Sequence, residues 1–218
     1  MSQEIKDEIR KKGYIFLPNH RPTDSIFDIA KSYGKPMVPW EGGLVQTLVP
    51  RTDAEPNSYS GIYGLGHFPF HSDLAHWRTP PRYLLLRCVN GYADIPTLLV
   101  DGHDLRDAIT FDILARAIFK PRRPHNGSIP LLRLCEPIEH TVLLRWDEVF
   151  LKPASRIGKV ADLRIREWLL TCKPTALSLS QPHDTLLIDN WRMLHARSPI
   201  LPGRKNREIQ RIYLEDLH

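Results

Sequence analysis

Two short patterns in this chain carry residue types that can hold a metal ion. The first is Phe70-His71-Ser72-Asp73. In an extended segment residues i and i+2 share a face, so His71 and Asp73 point the same way with Cα atoms about 6.6 Å apart. An imidazole and a carboxylate so placed can bite one cation. The second pattern is Leu186-Leu-Ile-Asp-Asn-Trp-Arg-Met-Leu-His195-Ala-Arg197, which places His195 in a late strand. Two histidines and one carboxylate, with the other coordination positions open, are the facial set suited to non-haem Fe(II) and O2 chemistry. Taken alone, a His-x-Asp triplet arises by chance, and a structural His-Asp pair is its commoner meaning.

The context changes that balance. Twelve residues after His195 begins Arg207-Glu-Ile-Gln-Arg211, an alternating segment with Arg207, Ile209, Arg211 and Tyr213 on one face. An inward-facing arginine in a small domain is costly unless it meets an anion. Its planar fork is what a dicarboxylate would need. The opposite arrangement, with both arginines solvated, would put Ile209 and Tyr213 in water.

Short elements must position these groups. Residues 3–12 read as a polar surface helix ending at Gly13, followed by a strand over Tyr14–Leu17. Thr23-Asp24 can cap a second helix carrying Ile26, Phe27, Ile29 and Ala30, ended by Gly34-Lys-Pro36. Residues 36–70 read as a loop, interrupted by Pro36, Pro39, Gly42, Gly43, Pro50, Pro56 and Gly61, with one strand at Leu44–Val49; a stretch of this kind serves as a lid or binding loop. Strands follow at Arg82–Val89 and Thr97–Asp101, then a helix from Asp104 to Phe119. Leu131–Cys135 and Thr141–Trp146 are further strands, and Ala161–Cys172 is helical. Thr175–Ser180, Thr185–Ile188, Met193–Arg197 and Glu208–Leu214 are again β. The pattern describes one α+β domain, mainly β, over residues 1–218, built around a sandwich or barrel.

Composition bounds the function. The 218 residues, 42% hydrophobic and 25% charged, suit one soluble core. No stretch approaches about 20 apolar residues, which excludes a membrane-spanning segment. The start, MSQEIKDEIRKK, has no apolar core of a secretory signal. Cys88, Cys135 and Cys172 are widely spaced, which offers no disulfide framework and fits a reducing, cytoplasmic setting. The net charge of +5 is spread along the chain. Its densest basic patches, Lys120-Pro-Arg-Arg-Pro and Arg204-Lys-Asn-Arg207, lack interleaved aromatics, so nucleic acid is not an expected partner. Nineteen prolines argue for stiff turns and against a helical bundle.

The order His71-Ser-Asp73, Pro80-Pro-Arg-Tyr, Pro96-Thr97-Leu-Leu-Val-Asp101, Asp189-Asn-Trp-Arg-Met-Leu-His195-Ala-Arg197 and Arg207-x-x-x-Arg211 resembles the taurine dioxygenase/clavaminate synthase-like Fe(II)/2-oxoglutarate-dependent dioxygenases. The resemblance runs from about residue 58 to 214 and rests on the combination of motifs. It implies a double-stranded β-helix (jelly roll) with a few flanking helices. It implies His71, Asp73 and His195 as Fe(II) ligands and Arg207 as partner of the distal carboxylate of 2-oxoglutarate. Thr97 would add a hydroxyl to that carboxylate, and Arg211 would lie nearer the metal-bound end or the prime substrate. The activity implied is hydroxylation of an unactivated C–H bond of a small polar metabolite, carboxylate- or amino-acid-like, consuming O2 and releasing succinate and CO2. Desaturation or ring closure is the variant outcome, and a non-catalytic jelly-roll module that binds metal or ligand is the alternative of another class. Tyr59, His67, Phe68 and Arg197 are the candidate substrate contacts. Two positions depart from the family pattern: His183 stands where a glycine usually precedes Asp184, and Ala196 stands where glycine is frequent.

Overall fold

The computed structural model describes residues 1–39, 43–52, 54–124 and 127–218. In chain order it contains α1 (Gln3–Lys12), β1 (Tyr14–Leu17), α2 (Ile26–Tyr33), β2 (Gly34–Met37), β3 (Gln46–Leu48), α3 (Tyr59–Tyr63), β4 (Phe68–His71), β5 (Tyr83–Asn90), β6 (Thr97–Asp101), α4 (Gly102–Ile109), α5 (Phe111–Arg116), β7 (Ile118–Pro121), β8 (Leu132–Arg133), β9 (Cys135–Ile138), β10 (Thr141–Leu144), β11 (Leu151–Pro153), α6 (Arg156–Thr171), β12 (Thr175–Leu177), β13 (Thr185–Asp189), β14 (Met193–Arg197) and β15 (Glu208–Leu217).

Two antiparallel sheets face each other. The larger has the order β1-β13-β5-β15-β2, with β3 also on β15; the smaller has the order β12-β6-β14-β4. Alternation along the strands sorts the side chains into layers. Leu84, Leu86, Leu186, Ile188, Ile209 and Tyr213 of the larger sheet meet Leu99 and Met193 of the smaller one between the sheets. Their neighbours Tyr83, Leu85, Leu187, Ile212 and Leu214 point the other way, onto Ile9 of α1 and Ile26, Ile29 and Ala30 of α2. Val100 and Leu194 leave the outer face of the smaller sheet and pack with Leu105, Leu114 and Ile165 of α4, α5 and α6. This is the expected jelly roll with flanking helices.

Most elements lie where the sequence places them, and the differences have local causes. The second helix is capped by Ser25, whose hydroxyl accepts from the Asp28 N–H at 3.1 Å, one residue beyond the expected Thr23-Asp24. Gly34-Lys-Pro36 ends that helix by starting a strand on β15. The span 36–70 holds β3, α3 and β4 rather than one strand; Gly42, one of its expected interruptions, lies outside the described residues. The single helix expected over 104–119 is two helices, because Thr110 takes φ +75° and breaks the hydrogen-bond ladder. Ile118 and Phe119 then pair in β7 with β8 and β11, the last of which the sequence did not suggest. Helix α6 begins earlier than expected, at Arg156, where the Ser155 hydroxyl accepts from the Gly158 N–H at 2.9 Å. His183 has φ +72°, in the left-handed region that favours glycine, which gives a physical reason for glycine being usual there.

Candidate metal and dicarboxylate site

Three strands bring the two sequence patterns together. His71 ends β4 and is the cross-strand partner of His195 in β14, which in turn lies opposite Leu99 of β6. Residues directly opposite in an antiparallel pair have Cβ atoms about 4.5–5.5 Å apart. The two imidazole centroids are 4.3 Å apart. Asp73 follows β4, with its Oδ1 3.4 Å from His71 Nε2 and 3.7 Å from His195 Nε2. One ligand atom from each of His71, Asp73 and His195 lies within 4.8 Å of the others. All three residues are buried. His71 Nδ1 donates to the Pro69 carbonyl at 2.9 Å, which leaves the Nε2 lone pair turned toward Asp73.

The carboxylate is fixed from both ends. Asp73 Oδ2 accepts from Arg211 Nη1 and from the Tyr213 hydroxyl, each at 3.0 Å. Its own N–H donates to Asn190 Oδ1 at 2.7 Å, and its carbonyl accepts from Asn190 Nδ2 at 3.0 Å. Burial alone would raise the Asp73 pKa, but Arg211 and the two imidazoles outweigh it and hold the carboxyl well below the usual range. Asn190 is wholly buried, and its Nδ2 also donates to the Pro81 carbonyl at 2.9 Å. Sequence reasoning assigned Asn190 no role. The available signal was a side-chain amide at the end of the buried run Leu186–Ile188, where only a satisfied polar group is tolerated.

Arg207 immediately precedes β15, whose ladder with β5 shifts register between Glu208 and Ile209. Ile209 and Tyr213 are buried on the inner face with Arg211 between them, as the alternation requires. Arg207 is 7% exposed, and its Nε is shielded from solvent with no hydrogen-bond partner. No carboxylate pairs with it among the described residues. Burial, with a smaller contribution from nearby Arg197, drives its pKa down to about 10. Thr97, buried on β6, stands opposite Arg197 of β14. A buried cation without an anion is the strongest unsatisfied feature of this face.

The remaining sequence candidates divide. Tyr59, in α3, packs tilted against Phe68 at 4.6 Å and lies 5.2 Å from the His71 ring, and Phe68 lies 4.9 Å from that ring. These two aromatics therefore wall the histidine pair. The Tyr59 hydroxyl donates to the buried Asp147 carboxylate. Arg197 is turned aside: its Nη2 donates to the carbonyls of Gly64 and Gly66 at 3.1 and 3.0 Å, and its guanidinium lies over the Phe68 ring. His67 is exposed and does not join the cluster. Arg211 is held by Asp73 and by Gln46 Oε1, at 2.8 Å from Nε and 2.6 Å from Nη2. It therefore lies beside Asp73, with its donors engaged by Asp73 and Gln46.

No protein-family model and no curated protein matches the sequence. Solved structures do match. An asparagine oxygenase in complex with Fe(II), 2S,3S-3-hydroxyasparagine and succinate is similar with a TM-score of 0.71 and 16% identity, over 97% of this chain and 78% of that one. PvcB from Pseudomonas aeruginosa gives 0.70 and 20%, over 97% and 79%. The non-haem iron oxygenase OrfP in complex with Fe, succinate and (3S)-hydroxy-L-Arg gives 0.68 and 18%, over 99% and 81%. At these identities the likeness is one of fold, and the chain has the jelly-roll fold of these oxygenases.

Proposed function

We propose that the protein is a non-haem Fe(II)/2-oxoglutarate-dependent dioxygenase that hydroxylates an unactivated C–H bond of a small polar, amino-acid-like metabolite. The observation that carries this reading is the convergence of His71, Asp73 and His195 beside the unpaired, buried Arg207. A structural His-Asp pair would explain the first feature but leaves the second without a partner. A bound dicarboxylate supplies the missing anion.

The residues present fit the metal. His71 offers Nε2 because Nδ1 is committed to Pro69, and the Asp73 carboxylate is held ionised by Arg211. Bound iron would supply the activation of O2 coupled to oxidative decarboxylation of 2-oxoglutarate. The protein's own part is positioning and exclusion of water. Arg207 anchors the distal carboxylate, and Thr97, which stands opposite Arg197 on the facing sheet, adds its hydroxyl. Tyr59 and Phe68 close the apolar side of the site, and Arg197 holds the segment over it. A polar substrate of amino-acid size is supported by two fold neighbours whose complexes hold hydroxylated asparagine and arginine. The expected setting is the cytoplasm. No helix among the described residues is long and apolar enough to cross a membrane.

The test is aerobic incubation of the Fe(II)-loaded protein with 2-oxoglutarate and a panel of amino acids and their small derivatives. The expected result is succinate release stimulated by one of them, with a product heavier by one oxygen atom, lost in His71→Ala and Arg207→Ala. A product two hydrogens lighter would make the outcome desaturation. No succinate with any compound would remove the catalytic reading.

A further inference from the structure

A second cleft, of about 200 Å³, lies away from the metal site where α1, the start of β5, α4 and the turn between β13 and β14 meet. Its ionisable lining is Arg10, Arg82, Arg106, Arg192, His103 and Asp189. The arginines are not equivalent. Arg192 is spent: Nε and Nη2 bind the two Asp101 oxygens at 3.0 and 2.5 Å, and the Arg10 and Lys11 carbonyls take its other donors. Arg10 reaches Asp7 at 3.4 Å on the surface. The guanidinium groups of Arg82 and Arg106 make no hydrogen bond and no close ion pair among the described residues, although the charge of Arg82 reaches Asp189. The Arg82 guanidinium is held between the Tyr83 and Trp191 rings, at 5.2 and 5.3 Å, and its Nε is shielded from solvent. Aromatic faces fix the plane of such a cation and leave its donors unused.

The chemistry of the missing partner follows from where the donors stand. Arg192 serves Asp101 through one planar fork, which is what a carboxylate needs. Arg82 and Arg106 come from different elements, a strand start and a helix. Donors arriving from separate directions suit a tetrahedral oxyanion, which accepts around its whole surface. Asp189 adds a second requirement. Its Oδ1 accepts from the Trp191 N–H at 3.0 Å, and its other oxygen is open to a donor from a ligand in the cleft. We propose that this cleft binds a small hydroxylated phosphate ester, its phosphate taken by Arg82 and Arg106 and a hydroxyl turned to Asp189. The site is independent of the iron reading. It also backs onto the metal ligand: the Asn190 N–H donates to the Arg82 carbonyl at 2.7 Å, so the turn lining the cleft is the one that grips Asp73.

Calorimetric titration of the full-length, metal-free protein with glycerol 3-phosphate tests this, with succinate as the carboxylate arm. Saturable binding is expected, weakened at least about tenfold in Arg82→Gln and in Arg106→Gln and unchanged in Arg207→Gln, since each lost contact is a charge-assisted hydrogen bond. Succinate binding is expected to depend on Arg207 and not on Arg82. Arg106 is only half-buried, so Arg106→Gln decides the matter even if Arg82→Gln does not fold. Absence of saturable binding overturns the proposal. So does glycerol 3-phosphate binding that survives both cleft variants, or succinate binding equally tightly with the same Arg82 dependence.

Discussion

Asn190 and Asp73 stand 117 residues apart in the chain and are joined by two hydrogen bonds. The Asn190 carboxamide behaves as a rung of sheet toward Asp73, accepting from its N–H and donating to its carbonyl. Main chain and side chain of the carboxylate are therefore fixed separately, the first by Asn190 and the second by Arg211 and Tyr213. Asn190→Ala leaves these buried groups of Asp73 and the Pro81 carbonyl without partners. The expected loss is about 2–4 kcal/mol of stability in urea unfolding. Fe(II) affinity is expected to fall roughly 10- to 100-fold, as for other residues that orient a metal ligand. Unchanged metal affinity in a folded Asn190→Ala protein would separate Asn190 from the site.

Arg207 gives effects of opposite sign. Its guanidinium is buried without an anion, so Arg207→Met removes a desolvation cost and keeps the packing of the side-chain stem. Without 2-oxoglutarate the variant is expected to be as stable as the parent or more stable, by about 1–3 kcal/mol. Its affinity for 2-oxoglutarate should fall by about a hundredfold or more. Thermal unfolding with and without the co-substrate measures both. Destabilisation with retained affinity would mean that Arg207 is structural.

Arg197 ties the segment after α3 to β14 through the Gly64 and Gly66 carbonyls. Arg197→Ala removes both bonds and the contact over Phe68. Limited proteolysis near residues 64–66 should then be faster by about 5- to 30-fold, the effect of losing about 1–2 kcal/mol from a local closing equilibrium. An unchanged cleavage rate would show that the segment is held by Tyr59 and Asp147 instead.

Burial raises the pKa of the Asp189 carboxyl from its ordinary value near 3.8 to about 6. A folded-state pKa above the unfolded one means that the native state binds the proton more tightly. The associated stability is complete below about pH 4 and is lost as pH rises through about 6. Asp189→Asn keeps an oxygen to accept from the Trp191 N–H and cannot ionise. Relative to the parent it should be more stable above pH 6 and lose that advantage near pH 4, in urea unfolding across this range. Parallel pH profiles would refute the assignment.

Much of this was legible in the sequence for physical reasons. The unbroken apolar runs Tyr83–Leu86 and Leu186–Ile188 marked buried strands, and the fold buries them on both faces. His71 and Asp73 were legible as a pair from their types and close spacing. Only His71 lies in β4, however, and Asp73 stands in the turn that follows, so the extended geometry read from the sequence does not reach Asp73. Where a break depends on a single backbone angle, as at Thr110, composition carries no signal. The Asn190 clamp and the Tyr59–Asp147 contact join residues far apart in the chain, so only the folded chain reveals them. The same holds for Arg197 and Arg211. Their type and spacing suggested anion binding; the fold turns Arg197 to glycine carbonyls and gives Arg211 the Asp73 carboxylate, with Gln46 as its second partner.

The central claim is that His71, Asp73, His195 and Arg207 together bind Fe(II) and 2-oxoglutarate. Anaerobic titration of the protein with Fe(II) and then 2-oxoglutarate tests it most directly, read as the visible charge-transfer band of the chelated co-substrate. A saturable band is predicted at one Fe(II) per chain, absent in Asp73→Ala and requiring far more 2-oxoglutarate in Arg207→Met. A folded parent protein that binds neither Fe(II) nor 2-oxoglutarate and gives no band would contradict it.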